Sequence, residues 1–376
     1  MRWKAGISSS SRATARGLTL RAAVAVTVTL LVAAACMPFP ATMDPGGTSI
    51  PAGPPGWTVE SREHVDLWLH GYAMLHDDAA TVPFFRKGYR TELGALRESR
   101  GVFSLLDVNA DRLAPMLTAN PELANGQFAP FYFNSWGELR AGVDALVRSG
   151  GNLSRAGDER RAVSILQRMF RTADEREWLR TFALSLDDEH DRFYREHREA
   201  RQREARVAYL AADSALRATS GGALRRYAQN AALGRGTIVM ALPLGGEGRT
   251  IVSGIERPVI AVPRPLRPAG AAEPVYVFVH ELVGPAVGVA SREFQGALPA
   301  GLTAESYTTS SLIRAGHHLL QLSAPDLADG YARYYLTLAG RAAGSNPAAT
   351  LAAAFPLPQA LETAVLAQVD EVWAGI

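Results

Sequence analysis

The stretch VYVFVHELVG at residues 275–284 is apolar, aromatic or small at every position except His280 and Glu281. That composition predicts a helix buried in the core. The stretch follows three short runs rich in β-branched residues, at 237–244 (TIVMALPL), 250–252 and 259–262. Because Gly and Pro separate them, these runs are typical of strands joined by turns. We therefore predict a small sheet that leads into a buried helix carrying a His-Glu pair.

Helical periodicity dominates the rest of the chain. Within residues 58–217, apolar side chains recur at helical spacing, and the first stripe is formed by Val65, Trp68, Leu69 and Tyr72. Residues 186–217 are dense in charge, including an acidic run at 187–191, and predict a largely solvated helix or helix pair. Further helices are predicted near 304–321, 325–339 and 357–374. The predicted fold class is α+β, with a helical N-terminal half, a small β-sheet and a helical C-terminal half.

The first 35 residues have the features of a secretory signal. Residues 1–21 are rich in Arg and Ser without a carboxylate, and residues 22–35 are an uninterrupted run of small and apolar residues (AAVAVTVTLLVAAA). A helix of that length extends about 21 Å, which is short of a bilayer core of about 30 Å. We expect an exported protein from which residues 1–35 are removed as a signal peptide.

Cys36 is the only cysteine in the chain and follows Ala33, Ala34 and Ala35. The arrangement resembles the lipobox of bacterial lipoproteins, although Ala33 stands where that family usually has Leu. The resemblance implies that Cys36 is lipidated, becomes the N-terminus and anchors the protein to the membrane of the cell envelope. Because Met37 rather than Asp follows it, the outer membrane is favoured over the inner one in a two-membrane cell. The alternative is an ordinary cleaved signal with an incidental cysteine.

Pro and Gly are frequent in residues 37–57, which predicts a tether between the lipidated cysteine and a folded body. The predicted organisation has four parts. A signal peptide occupies 1–35, the lipidated cysteine and tether occupy 36–57, a helical region occupies 58–233, and the small sheet with the His-Glu helix occupies 234–376.

The charge balance excludes one class of partner. The chain has a formal net charge of +2, but residues 1–35 hold five cations and no acids, so the remainder carries −3. A nucleic-acid-binding protein needs a basic surface, and we therefore expect no nucleic-acid partner. The sequence also lacks the G-x-S-x-G, P-loop and G-x-G-x-x-G patterns of serine hydrolases, nucleotide-binding proteins and Rossmann folds.

The segments around the His-Glu pair follow a recognisable order. Residues 178–197 contain a Phe-Tyr pair, and residues 224–227 (LRRY), TIVMALPL and VYVFVHELVG follow in turn. This order resembles uncharacterised zincin-like families, related to gluzincin metallopeptidases, among bacterial exported proteins. The resemblance covers roughly residues 175–340 and implies a zincin-like C-terminal half.

In zinc peptidases of this kind the edge strand binds the peptide, the helix presents two His one turn apart, and the Glu activates a zinc-bound water. By position, His280 matches the first zinc ligand and Glu281 the catalytic base. Gly284 departs from the pattern because it stands where the second His belongs. Pro285 then removes a backbone donor, so the helix is expected to kink or end there. Candidates to complete the zinc site lie downstream, at Glu305, His317 and His318.

Three interpretations remain. A degenerate zincin-like domain would retain a cleft for a peptide or protein without efficient peptidase activity, and an intact site would make a zinc-dependent metallopeptidase. An unrelated α+β fold with an incidental His-Glu pair would make a non-catalytic helical scaffold lipoprotein. In the zincin interpretations His280 and Glu281 open into a cleft beside the edge strand, whereas in the scaffold interpretation they are buried and satisfied.

Overall fold

The computed structural model describes residues 56–76 and 80–376 and confirms the α+β fold class. A mixed sheet in the order β1-β2-β4-β3 lies between layers of helices. Its strands are β1 (Gly56–Glu60), β2 (Arg235–Ala241), β3 (Arg249–Ile251) and β4 (Val259–Pro263). β1, β2 and β4 are parallel, and β3 pairs antiparallel with β4, so β3 forms one edge of the sheet.

Helices make up most of the described chain. Those before β2 are α1 (Glu63–Leu75), α2 (Tyr89–Ser99), α3 (Leu105–Ala119), α4 (Pro121–Ala124), α5 (Trp136–Ser149), α6 (Arg160–Met169), α7 (Ala173–Glu189), α8 (Arg195–Glu204), α9 (Arg206–Gly221) and α10 (Arg225–Asn230). Those after β4 are α11 (Glu273–Leu282), α12 (Gly284–Glu293), α13 (Thr308–Ser323), α14 (Pro325–Leu338), α15 (Pro347–Ala354) and α16 (Gln359–Ala374). A π-helical turn, His190–Tyr194, joins α7 to α8.

Two hydrophobic cores share the sheet, because side chains alternate between the two faces of each strand. The core of the helical N-terminal half includes Val239, Ala241, Val259 and Ala261. The core beneath the C-terminal helices includes Ile238, Met240, Ile260 and Val262. The sheet therefore contributes side chains to the cores of both halves of the chain.

The strand β1 departs from the predicted organisation. Gly56 and Trp57 belong to this strand and not to a tether ending at residue 57, and residues 58–60 belong to the sheet and not to the helical region. A five-residue run gives little periodicity by itself, and its strand character comes from pairing with β2, far along the chain. The predicted signal peptide and Cys36 lie outside the described residues.

The His-Glu helix ends where Pro285 predicts. α11 stops at Leu282 and α12 starts at Gly284, because Pro285 has no N–H to donate to the Glu281 carbonyl. In the described part of the chain, the helical stretch Pro268–Glu293 is long and apolar enough to cross a membrane, but 67% of its most apolar window is buried. α11 packs against β4 and α13, so its apolar residues are those of a core helix.

Candidate functional site around His280 and Glu281

α11 holds Glu281 against the edge of the sheet. The helix contacts both β4 and the edge strand β3. The approach is closest at Gly248, one residue before β3. A Cβ there would lie 2.7 Å from Glu281 Cγ and 2.5 Å from the carbonyl oxygen of Ala261, so a side chain at this position would force the strand and the helix apart.

The Glu281 carboxylate is engaged on both oxygens. Oε1 lies 3.1 Å from His280 Nδ1, and Oε2 accepts a hydrogen bond from Thr250 Oγ1 of β3 at 3.0 Å. The Thr250 hydroxyl also lies 3.5 Å from the Glu281 carbonyl oxygen, which Pro285 leaves without its helical donor. Thr250 therefore joins the edge strand to the helix. Sequence analysis did not identify this residue, because only the register of β3 brings it to Glu281.

His280 is packed into the core with 1% of its surface exposed. When a carboxylate accepts the Nδ1 proton of a neutral imidazole, Nε2 is left with a lone pair, the form in which His binds metals. His280 Nε2 is buried and has no hydrogen-bond partner in the described residues. The ring stacks on Tyr335, with centroids 5.6 Å apart, and the Tyr335 hydroxyl donates to the Gly246 carbonyl at 3.2 Å.

The pair does not open into a cleft. The side chain of Glu281 is 11% exposed and that of His280 is 1% exposed. This burial matches the scaffold interpretation, although Nε2 of His280 is not satisfied. A cavity of about 690 Å³ lies elsewhere, between α1, α2 and α3, where Arg97 and Asp107 contribute to its lining.

Glu305 and His317 do not join His280. Glu305 lies in the 3-10 turn Ala304–Tyr307, where a hydrogen bond from Thr303 lowers the pKa of its carboxyl group. His317 is buried in α13, and this burial lowers the pKa of its imidazole. Its ring contacts Tyr331 at 6.4 Å between centroids, whereas His280 stacks on Tyr335.

Zinc does not fit this set of residues. A catalytic zinc site uses three protein ligands, but no group of three or more His, Cys, Asp or Glu side chains is placed to hold a metal anywhere in residues 56–76 and 80–376. A Cβ on Gly284 would meet no atom within 4 Å, so this position faces open space while His280 faces the core. His318 instead bonds Asp370 at 2.8 Å. The structure therefore does not assemble the predicted ligands.

A second buried His-Glu pair lies in the helical N-terminal half. His70 of α1 and Glu189 of α7 are both 0% exposed, and burial lowers the pKa of His70. His70 Nε2 donates to Glu189 Oε1 at 3.0 Å, and the Tyr89 hydroxyl lies 3.1 Å from His70 Nδ1. Glu189 Oε2 accepts from Arg97 Nη2 at 2.9 Å and from Ser104 Oγ at 2.5 Å. Each polar atom of this pair has a partner.

Glu189 corrects the prediction of a solvated face at residues 187–191. Asp188 does stay at the surface, where it pairs with Arg192 at 2.6 Å. Glu189 turns inward because it lies three residues after Leu186 and four before Phe193, which are both buried in the first core. That spacing was the signal available in the sequence, but the surrounding charges concealed it.

Comparisons with protein-family models, with curated proteins and with solved structures gave no match for this chain. Its function is therefore inferred from its own residues and their geometry.

Proposed function

We propose that the protein is a lipid-anchored protein of the cell envelope with a degenerate zincin-like domain that does not cleave peptides. One observation carries the proposal. Both carboxylate oxygens of Glu281, the residue placed to activate water in a zinc peptidase, are bonded, one by His280 and one by Thr250. A general base needs an oxygen within hydrogen-bond reach of the water that it activates. Here each oxygen already has one protein partner, and the side chain is only 11% exposed, so little of the carboxylate is within reach of a water.

The arrangement of strand and helix supports the resemblance to zincins. β3 is an antiparallel edge strand, and its Thr250 contacts the Glu of the His-Glu helix. This is where a zinc peptidase would hold its substrate. The burial of His280 favours the alternative, a helical scaffold lipoprotein with no metallopeptidase ancestry. The two proposals agree that the pair is not catalytic, and they differ in whether the domain is related to metallopeptidases.

Peptide hydrolysis tests the absence of catalysis. The protein purified from membranes in detergent is incubated with unstructured peptides, with and without a chelator, beside the variant Glu281→Gln. Gln has nearly the same volume and still accepts a hydrogen bond from Thr250, so the variant is a matched control. We expect no cleavage that depends on both the metal and Glu281. Chelator-sensitive cleavage that disappears in Glu281→Gln would overturn the proposal.

Lipid labelling tests the anchor. Cells that express the wild-type chain or Cys36→Ser are grown with a labelled fatty acid and then separated into soluble and membrane fractions. We expect label and membrane association in the wild type alone, because Cys36 is the only cysteine in the chain. Equal fractionation of both chains without label would show an ordinary cleaved signal.

A further inference from the structure

The carboxyl ends of the three parallel strands, β1, β2 and β4, lie next to one another along one edge of the sheet. Ser61 follows β1, Leu242 follows β2 and Arg264 follows β4. The backbone N–H of Arg264 donates to the Ala241 carbonyl at 3.0 Å, and the backbone N–H of Leu242 donates to Asp66 Oδ1 at 2.9 Å. In open α/β sheets, ligands bind outside the carboxyl ends of parallel strands. Neither His280 nor its partners take part in this region.

The side chains at this edge carry more positive charge than negative. Asp66 is fully buried and accepts from Arg198 Nε at 2.8 Å. Arg198 and Arg264 are 8% and 7% exposed, and both act electrostatically on Asp66. In the part of the chain that the structure describes, no carboxylate oxygen lies within 4 Å of the Arg264 guanidinium. Two buried cations therefore share one buried carboxylate. Glu60 and Asp213, which act electrostatically on Tyr209, are paired with Arg62 and Arg217, so one positive charge remains uncompensated.

Arg264 also has few acceptors for its five N–H donors. Nη1 donates to Ser61 Oγ at 3.4 Å, and Nε is buried without a partner. The Tyr209 ring lies 4.7 Å from the guanidinium carbon and covers one face. Stacking uses the face of the guanidinium and leaves its in-plane donors for an acceptor. Burying an arginine in this way is costly unless an anion completes its bonding.

We propose that Arg264, covered on one face by the Tyr209 ring, binds a carboxylate group, supplied by a small organic acid or by the C-terminus of a peptide. The planar fork of Arg matches the two oxygens of a carboxylate. One surplus positive charge matches a monovalent group, whereas a phosphate dianion would leave the site negative. Ser61 and Tyr209 are only partly buried, so the ligand enters from solvent on their side.

Thermal unfolding of the full chain tests the site, with acetate as the probe and chloride as the reference at constant ionic strength. Exchanging chloride for 100 mM acetate should raise the Tm of the wild type by roughly 2 °C or more. Arg264→Met should abolish this shift. The matched control is Arg267→Met, which removes an equal charge from an exposed residue of the same loop and should keep the wild-type shift.

A measurement on the wild type covers the case in which Arg264→Met does not fold. Saturation transfer from the protein to the acetate methyl group should be seen by NMR, and Arg264→Lys, which keeps the charge but loses the fork, should weaken it several-fold. Acetyl-triglycine and its C-terminal amide then distinguish the sources. If only the free acid competes with acetate, the site accepts a peptide C-terminus, and if neither competes, the site takes small acids alone. A Tm in acetate no higher than in chloride, a shift in phosphate as large as that in acetate, or an unchanged acetate shift in Arg264→Met would overturn the proposal.

Discussion

The two buried His-Glu pairs differ in what surrounds them. His70 and Glu189 are completed by a cation, Arg97, and by two hydroxyl groups, so each polar atom is bonded. Among the described residues, His280 and Glu281 have one hydroxyl partner, from Thr250, and no cation, and one ring nitrogen is left without a partner. A cation is what allows a carboxylate to stay charged at zero exposure. The comparison shows that the properties of a buried His-Glu pair depend on the further groups, such as a cation or a hydroxyl, that bond to it.

The largest expected effect comes from removing the charge of Glu189. Glu189→Gln leaves Arg97 buried with less compensation and should lower the free energy of unfolding by roughly 3 kcal/mol or more. Glu281→Gln is the matched substitution in the other pair and should cost about 1 kcal/mol, since no buried cation depends on it. Urea unfolding of both variants measures the difference. Equal losses would mean that the two pairs do not differ as described.

Acid should destabilise the helical N-terminal half, which contains His70 and Glu189. Burial, reinforced by the neighbouring His70, lowers the pKa of His197 to about 3. The unfolded chain therefore binds one more proton than the folded one between about pH 6.5 and pH 3, and stability falls as the pH falls. His197→Phe keeps the ring contact with Phe193 and should reduce this dependence by about 1.4 kcal/mol per pH unit.

Unfolding of the wild type and of His197→Phe is measured at several pH values between 6 and 4. A wild-type slope in His197→Phe would show that this imidazole does not stay neutral in the folded protein.

Thr250→Val tests how much the Thr250 hydroxyl stabilises the His280–Glu281 pair. Valine keeps the shape of threonine in β3 but removes the hydroxyl that bonds Glu281, so we expect a loss of about 1 kcal/mol. Thr58→Val is the control, since Thr58 is exposed on the strand β1 and its hydroxyl makes only long contacts, to the Gly236 carbonyl at 3.5 Å and to Thr237 Oγ1 at 3.3 Å. The stabilities of the two variants are compared by thermal unfolding. A loss of stability in Thr250→Val no greater than that in Thr58→Val would mean that the Thr250 hydroxyl does not stabilise the pair.

The smallest effect is expected from restoring the missing histidine. Gly284→His adds a side chain that points into open space, so stability should change by less than about 1 kcal/mol. We also expect no zinc binding, because α11 ends at Leu282 and His280 faces the core. Elemental analysis of the variant beside the wild type is the measurement. Stoichiometric zinc in Gly284→His would show that the two positions can converge after all.

The sequence was most informative where the signal is local. The strands β2, β3 and β4 overlap the predicted runs, although β2 ends at Ala241 and not at residue 244, and the helix break follows directly from Pro285. β1 was missed because its strand character depends on pairing with distant residues. Glu189 was missed because the charges around it concealed its spacing from Leu186 and Phe193, which places it on the buried face of the helix.

The candidate site was predicted in part. Glu281 does lie beside the edge strand, as the resemblance to zincins implied, but no local pattern indicates that Thr250 bonds its carboxylate. Glu305 and His317 were chosen for their distance along the chain, and that distance does not determine which face of a helix points where. The rings of Tyr331 and Tyr335, 4.6 Å apart, occupy the space near both histidines.

The placement of β1 has a consequence for the order of folding. The Thr58 hydroxyl lies 3.5 Å from the Gly236 carbonyl across 178 positions of the chain, so β1, the first strand in the described residues, cannot pair until β2 has been synthesised. Closing so long a loop is slow. The core of the helical N-terminal half is also completed late, because it includes Val239 and Ala241 of β2. If residues 1–35 direct export, as proposed, a chain that cannot complete its sheet early remains unfolded long enough to thread through a membrane channel.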